Sequence, residues 1–297
     1  MKTVFLTIFC LFFLVTSGFS NQSDSDLLLL KRTQLAINKS RYRYPKGQIK
    51  IFDASITEVP KLQIIPFNTS IDDKENCIVT FASLNKPYDK LFVMLLKSLK
   101  SKFTGHVLLR EGGWPNFHKG CCQHATSAYG FKACAIQEAY DLGYKKVLWI
   151  DSTMVALRDL GPIFKCLDQQ PCLYRYSGYS FRSQINQCLL REFQFKNLNC
   201  RHIASGILGF NFEIPECKEA LHIWHEKTKK NLIWPSTFPE QLLISIIFNQ
   251  LKLDCYPFKG PLASFGLKPK QNGFFRVIRV HERELIRKQL VASVKKK

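Results

Sequence analysis

The chain has 297 residues, of which 46% are hydrophobic and 13% aromatic, and its formal charge is +20. This composition is that of a globular protein and excludes a disordered chain, and the length allows one large or two modest domains. The basic balance predicts attraction to anions such as acidic lipids, sulfated glycans or nucleotide phosphates.

The first 20 residues have the pattern of a secretory signal peptide. Lys2 precedes an apolar run from Val4 to Val15, and the small residues Gly18 and Ser20 follow. The alternative is an uncleaved signal anchor of a type II membrane protein, although the run is short for a full span. Both alternatives predict the secretory pathway, in the ER or Golgi lumen or outside the cell, and exclude nucleic acid as an ordinary partner.

Cysteine usage agrees with secretion. Ten cysteines remain after Cys10, and an even number in an oxidising compartment predicts several disulfides. The spacings lack the CxxC pairs of a zinc site, and they leave the connectivity open. Sequons at Asn21, Asn38 and Asn68 predict surface glycosylation.

The composition divides the chain further. Residues 21–76 are polar, basic and interrupted by prolines, which predicts a stem or lead-in. A single domain is expected over residues 77–290, and a basic tail over 291–297. The run Lys268–Lys297, with ten basic and two acidic residues, also allows a binding protein in which this charge attracts acidic glycans.

The first half of the predicted domain alternates strands and helices. Cys77–Leu84 is a predicted strand, the next helix has Leu91, Leu95 and Leu99 on one face, and His106–Arg110 is a second strand. An amphipathic helix then ends near Leu142, with Gly143 at its expected C-cap. Val147–Ile150 is a continuous apolar run, which is typical of a strand covered on both faces.

The second half is less regular. Gly161-Pro162 opens a short helix, Ser205–Pro215 is a predicted strand, and Cys217–Lys229 and Phe238–Leu251 are predicted helices. The order of elements predicts an α/β fold with a mostly parallel, doubly wound sheet and flanking helices.

Asp151 directly follows the apolar run Val147–Ile150. In open α/β sheets the loops at the carboxyl ends of the strands line the ligand crevice. An acidic residue there can hold a metal ion or a sugar hydroxyl, which makes Asp151 the first candidate for a functional residue.

The segment FKACAIQEAYDLGYKKVLWIDSTMVALRDLGPIF resembles the central segment of GT-A-fold glycosyltransferases, in which a helix with a basic residue leads to a strand ending in an acidic motif. SGILGFNF is similar to the family's small-residue strand, and Glu240-Gln241 to its Asp-Gln pair. The resemblance covers roughly Cys77 to Arg283. It implies a GT-A-like catalytic domain, hexosyltransferase-like in activity, that moves a sugar from a nucleotide-diphosphate donor to a glycan, protein or lipid acceptor.

The resemblance also implies a set of site residues. Asp151 would be catalytic and would bind the donor, and Asp151 and His281 would bind a divalent metal, Mn²⁺ or Mg²⁺. The donor site would be formed by Thr80, Ala82, Ser83, Lys132, Asp151, Gly206 and Gln241.

The motif departs from the usual Asp-x-Asp, because Ser152 and Thr153 follow Asp151. Three alternatives follow: Asp151 and His281 hold a metal with water, basic residues replace the metal, or the protein is a non-catalytic relative that binds a glycan or nucleotide. Individual residues also have plainer interpretations. Lys132 could be an exposed lysine at a helix start, and Trp149 simply a core residue. Glu240 and Asp254 are equal candidates for a base, and retention or inversion is left open.

Overall fold

The computed structural model describes residues 61–82, 88–111, 130–184, 193–229, 239–253, 262–265 and 273–278. They all belong to one compact unit, Tyr44–Lys297, and the other unit, Met1–Arg43, lies outside the described residues. The predicted signal segment, Ser83, His281 and the basic tail also lie outside them. Among the described helices, none combines the length and the apolarity that crossing a membrane requires.

Strands and helices alternate through the described chain. The strands are β1 (Leu62–Phe67), β2 (Asn76–Ala82), β3 (Gly105–Glu111), β4 (Lys146–Ile150), β5 (Met154–Ala156), β6 (Cys172–Ser180), β7 (Arg201–Asn211), β8 (Ala263–Phe265) and β9 (Phe275–Val277). The helices are α1 (Tyr88–Leu99), α2 (Phe131–Asp141), α3 (Gly161–Leu167), α4 (Phe181–Gln184), α5 (Pro215–Lys229) and α6 (Pro239–Gln250).

Six strands form one sheet in the order β1-β3-β2-β4-β7-β6. Strands β3, β2 and β4 are mutually parallel, and β1 and β7 are antiparallel to their neighbours in this group. Since β6 is antiparallel to β7, it runs in the same direction as β4. Four of the six strands therefore share one direction, and the predicted α/β sheet with flanking helices is confirmed. A smaller sheet has the order β5-β9-β8.

Both faces of the large sheet are buried. Because successive side chains of a strand point to opposite faces, neighbouring residues of one strand belong to different core clusters. On one face Val79, Val147 and Trp149 join a core cluster with residues of α2, α5 and α6. On the other face Ile78 and Leu148 join a cluster with residues of α1, α3 and the small sheet. This double coverage explains why Val147–Ile150 is apolar at every position.

The folded region begins earlier in the chain than Cys77. Strand β1 lies within the stem predicted for residues 21–76, and it pairs with β3 along its length, from Leu62 opposite Arg110 to Phe67 opposite Gly105. As an edge strand it is only half buried, so its apolar residues show no clear periodicity. Strand β7 likewise begins at Arg201, before the predicted Ser205, and ends at Asn211.

The predicted disulfides do not include two of the cysteines. Cys77 and Cys200 are free thiols in the structure. Burial raises the pKa of both, to about 12 for Cys200. The raised pKa keeps both thiols protonated at neutral pH, and the disulfides stay a prediction for the other cysteines.

We expect Gly105→Ala to destabilise the fold. Gly105 opens β3 with a φ of +140°, and a Cβ atom would collide with the backbone oxygen of Asn76 and with the Phe103 ring. The backbone oxygen cannot move aside, so the free energy of unfolding should fall by about 2 kcal/mol or more in urea denaturation. The control is Gly178→Ala on β6, where a Cβ atom has open space. Equal stability of the two variants would contradict the expectation.

Candidate functional site

Asp151 lies at the carboxyl end of β4, at the edge where ligands bind in sheets of this kind. Its N–H donates to the carbonyl of Gly206 on β7 at 3.0 Å, and its own carbonyl accepts from Met154 N at 3.0 Å. The second bond closes a tight turn with Ser152 and Thr153 at its centre. The Asp151 side chain is 36% exposed, so its carboxylate is accessible from the sheet edge.

Two donors hold one oxygen of this carboxylate. Oδ1 accepts the indole N–H of Trp149 at 2.9 Å and lies 3.2 Å from Lys132 Nζ. Within the described chain, no hydrogen bond is formed by Oδ2, which lies 3.2 Å from the point where a Cβ on Gly206 would sit. A side chain at position 206 would also collide with Met154. The carboxylate therefore has one fixed oxygen and one oxygen available to a ligand.

Lys132 is a buried cation rather than an exposed lysine at a helix start. It belongs to the first turn of α2, and its side chain is 4% exposed. Nζ donates to the backbone oxygen of Ser205 at 3.1 Å and to its hydroxyl at 2.9 Å. It also lies 5.6 Å from the centre of the Trp149 ring. These contacts direct the ammonium at Asp151 from inside the protein.

Glu240, in the first turn of α6, completes the cluster. Its side chain is 3% exposed, and Oε1 accepts the Ser205 hydroxyl at 2.7 Å and lies 3.7 Å from Lys132 Nζ. Oε2 is buried without a hydrogen-bond partner among the described residues. Burial raises the pKa of this carboxyl, against the opposing effects of Lys132 and Ser205. Glu240 therefore lies behind Lys132, where it balances the buried ammonium.

A bulge in β7 brings these groups together. Tyr174 of β6 pairs with Leu208, but the next residue, Arg175, pairs with Ala204. Three residues of β7, 205–207, thus have no partner on β6 at this point. Bulges of this kind redirect side chains and are common beside active sites. Here the bulge places Ser205 against Lys132 and Gly206 against Asp151.

The other predicted donor residues lie around this cluster with fewer contacts. Thr80 and Ala82 are buried at the carboxyl end of β2, and the Thr80 hydroxyl has no partner in the described part of the chain. Because Val79 pairs with Trp149, Thr80 lies at the same edge as Asp151. Gln241 is half-buried, and its backbone oxygen accepts the Ser245 hydroxyl at 2.5 Å. Among the described residues, the Gln241 side chain forms no hydrogen bond with Asp151.

The metal ligands implied by the resemblance are only half described. The implied ligand His281 lies outside the described residues, as does Asp254, the candidate base. Ile278 N donates to the Thr153 carbonyl at 3.0 Å, so the chain approaches the Asp151 turn three residues before His281. Across the described ranges, no group of three histidine, cysteine or acidic side chains could hold a metal ion. A metal at Asp151 would need ligands from outside those ranges.

Sequence reasoning missed two members of the cluster, Trp149 and Ser205. Trp149 is a core residue, packed 5.9 Å from the Phe131 ring, yet its N–H also binds Asp151. A signal for this was present, because Trp149 and Asp151 are two residues apart and extended backbone places such side chains on one face. No sequence signal identifies Ser205, whose role depends on the bulge.

No family model matches the chain, and no curated protein matches it in sequence. Among solved structures, the apo form of the bifunctional glycosyltransferase WbbM is similar over 67% of this chain, with 14% identity and a TM-score of 0.39. The matched region spans 41% of that protein. The apo form of mouse xyloside xylosyltransferase 1 is similar over 70% of this chain and 98% of its own, with 8% identity and a TM-score of 0.44. Both TM-scores lie below 0.5, so neither similarity assigns a family or an activity to this chain.

We expect Lys132→Met to destabilise the protein, because it leaves Glu240 buried without its cation. Breaking a buried pair in this way costs about 3 kcal/mol, which urea denaturation measures. Adding Glu240→Gln should restore part of the loss, since the two groups are in one network. The matched control is Lys145→Met, whose ion pair with Glu75 is half exposed and should contribute little. Strictly additive effects of the Lys132 and Glu240 substitutions would contradict the coupling.

Proposed function

We propose that this protein is a glycosyltransferase that takes a sugar from a nucleotide-diphosphate donor, with Asp151 in the donor site. The observation that supports this most directly is the Asp151 carboxylate, which is exposed at the carboxyl edge of the sheet and held on its inner side by Lys132 and Trp149. The resemblance of residues 131–164 to GT-A glycosyltransferases adds independent support.

A fixed carboxylate suits the recognition of a nucleotide-sugar. Oδ2 can accept hydrogen bonds from ribose or sugar hydroxyls, and the lack of a side chain at Gly206 lets Asp151 lie close to the β7 backbone. Because Lys132 and Trp149 restrain Oδ1, the carboxylate does not have to reorganise when the donor binds. Such preorganisation is a main source of electrostatic stabilisation in enzymes.

The growing negative charge of the diphosphate leaving group also needs a cation. A divalent metal would supply it as a Lewis acid, with Asp151 as one ligand and His281 as a second. The alternative is compensation by basic side chains. Lys132 is not placed to neutralise the diphosphate, since its ammonium is buried among Asp151, Ser205 and Glu240. Metal dependence thus stays a prediction, as does the secretory location of the protein.

A second candidate function is favoured by the turn after Asp151. Ser152 and Thr153 replace the usual second carboxylate, and Ser152 is buried. A relative that binds a nucleotide or glycan without turnover would be compatible with this turn. Titration with UDP- and GDP-sugars, with and without Mn²⁺, separates the two functions, because binding without nucleotide release supports only the second.

We expect Asp151→Asn to lower nucleotide release from the accepted donor by about 100-fold or more, because the amide keeps the shape but loses the charge that the site is built around. A screen of UDP- and GDP-sugars identifies the donor. The control is Asp72→Asn, which changes an exposed carboxylate in the turn before β2. Turnover of Asp151→Asn equal to that of the control would remove Asp151 from the mechanism.

Trp149→Phe should separate positioning from packing. The phenyl ring retains most of the apolar contact, but the hydrogen bond to Oδ1 is lost, and we expect kcat to fall by about 10-fold with little change in donor KM. Phe131→Leu is the matched control, since it disturbs the same ring cluster without touching Asp151. If both variants lose stability and activity in proportion, Trp149 acts only as a core residue.

A further inference from the structure

A polar cavity lies at the end of the β6–β7 pair, away from the Lys132 cluster. Its volume is about 520 Å³. The lining residues that matter for its chemistry are Tyr176, Ser177, Arg182, Asn199, Arg201 and His202. None of these residues was singled out by the sequence.

The cavity lies on the same edge of the sheet as Asp151. The last residue of β4, Ile150, pairs with Ile207, so residues 201–206 of β7 extend past the carboxyl end of β4. Arg201 and His202 open this extension, and Gly206 contacts Asp151 at its other end. Gly206 is four positions after His202, which corresponds to about 13 Å of extended chain. A molecule bound in the cavity can thus reach toward the donor site.

The cavity is positively charged. Arg182 and Arg201 are exposed at its rim, and none of its described lining residues is acidic. Neither arginine forms an ion pair within the described part of the chain. The Arg201 guanidinium lies 4.8 Å from the centre of the Tyr176 ring, and Arg182 Nη2 donates to Asn199 Oδ1 at 3.5 Å. Stacking occupies the face of a guanidinium and leaves N–H groups at its edge, a geometry that suits carboxylate or sulfate.

The floor of the cavity is polar but uncharged. His202 is buried, and its Nδ1 lies 2.7 Å from Ser177 Oγ. Burial lowers the pKa of His202 to about 4, so the imidazole is neutral at neutral pH. Serine, asparagine and neutral imidazole both donate and accept hydrogen bonds, as hydroxyl groups require. The cavity therefore combines an anion-binding rim with hydroxyl-binding groups.

We propose that this cavity binds the acceptor, and that the acceptor is a saccharide bearing an anionic group, a carboxylate or a sulfate. The anion would contact Arg182 and Arg201, and the ring hydroxyls would contact Ser177 and Asn199. This inference rests on the proposed function, because an acceptor needs a donor site. It extends that function by naming the chemical class of the acceptor.

Calorimetric titration tests the proposal with four probes: cellobiose, its uronic acid counterpart, its 6-O-sulfated counterpart, and inorganic sulfate. We expect at least one acidic disaccharide to bind about 10-fold or more tightly than cellobiose, as a charge-assisted contact predicts. The double variant Arg182→Gln/Arg201→Gln should lose this preference. The matched control removes two exposed lysines elsewhere, Lys165→Gln/Lys218→Gln, and should keep it.

Equal binding of acidic and neutral disaccharides, or an unchanged preference in the double arginine variant, would overturn the proposal. So would equal affinity for sulfate alone, which would indicate an anion site without saccharide recognition. Donor hydrolysis without acceptor is measured in parallel. If hydrolysis persists and depends on Asp151 while the acidic preference is absent, only the acceptor inference fails. If no donor is bound or turned over, the proposed function fails, and with it the acceptor role.

Discussion

The buried ammonium of Lys132 is the interaction on which the site depends. It lies between the carboxylates of Asp151 and Glu240, at 3.2 and 3.7 Å, and donates two hydrogen bonds to Ser205. These contacts join α2, the end of β4, the bulge of β7 and the start of α6. A buried cation is costly unless its partners are well placed, so the four elements have to keep their mutual positions. The exposed oxygen of the Asp151 carboxylate is therefore held in a fixed position.

Strand β7 connects this cluster to the rest of the sheet edge. Residues 207–211 of β7 pair with β4, and residues 205–207 form the bulge against β6. Residues 201–206 extend past the carboxyl end of β4. The bulge supplies Ser205 and Gly206 to the Lys132 cluster, and the extension supplies Arg201 and His202 to the polar cavity. One irregular strand thus carries groups of both candidate subsites. The distance between the subsites is therefore set by a strand of the sheet and not by a loop.

Much of the fold follows from local patterns. The apolar run Val147–Ile150 predicts a strand buried on both faces, and α1, α2, α5 and α6 form close to their predicted positions because their apolar residues have helical spacing. The patterns fail at the sheet edge. Strand β1 is half buried and contains Pro66, so its sequence resembles a lead-in, and only its pairing with β3 makes it part of the domain.

The sequence alone determined the position of Asp151, because the end of a buried strand can be recognised from the strand itself. It also drew attention to Lys132 and Gly206. Only the tertiary structure decided what surrounds the carboxylate. Lys132 and Asp151 are close in sequence, but Ser205 and Glu240 join them through pairings across 73 and 35 residues. Such contacts depend on sheet register and on a bulge, which no local pattern encodes. Trp149 is the local exception, because its N–H binds Asp151 only two residues away, where extended backbone already places both side chains on one face.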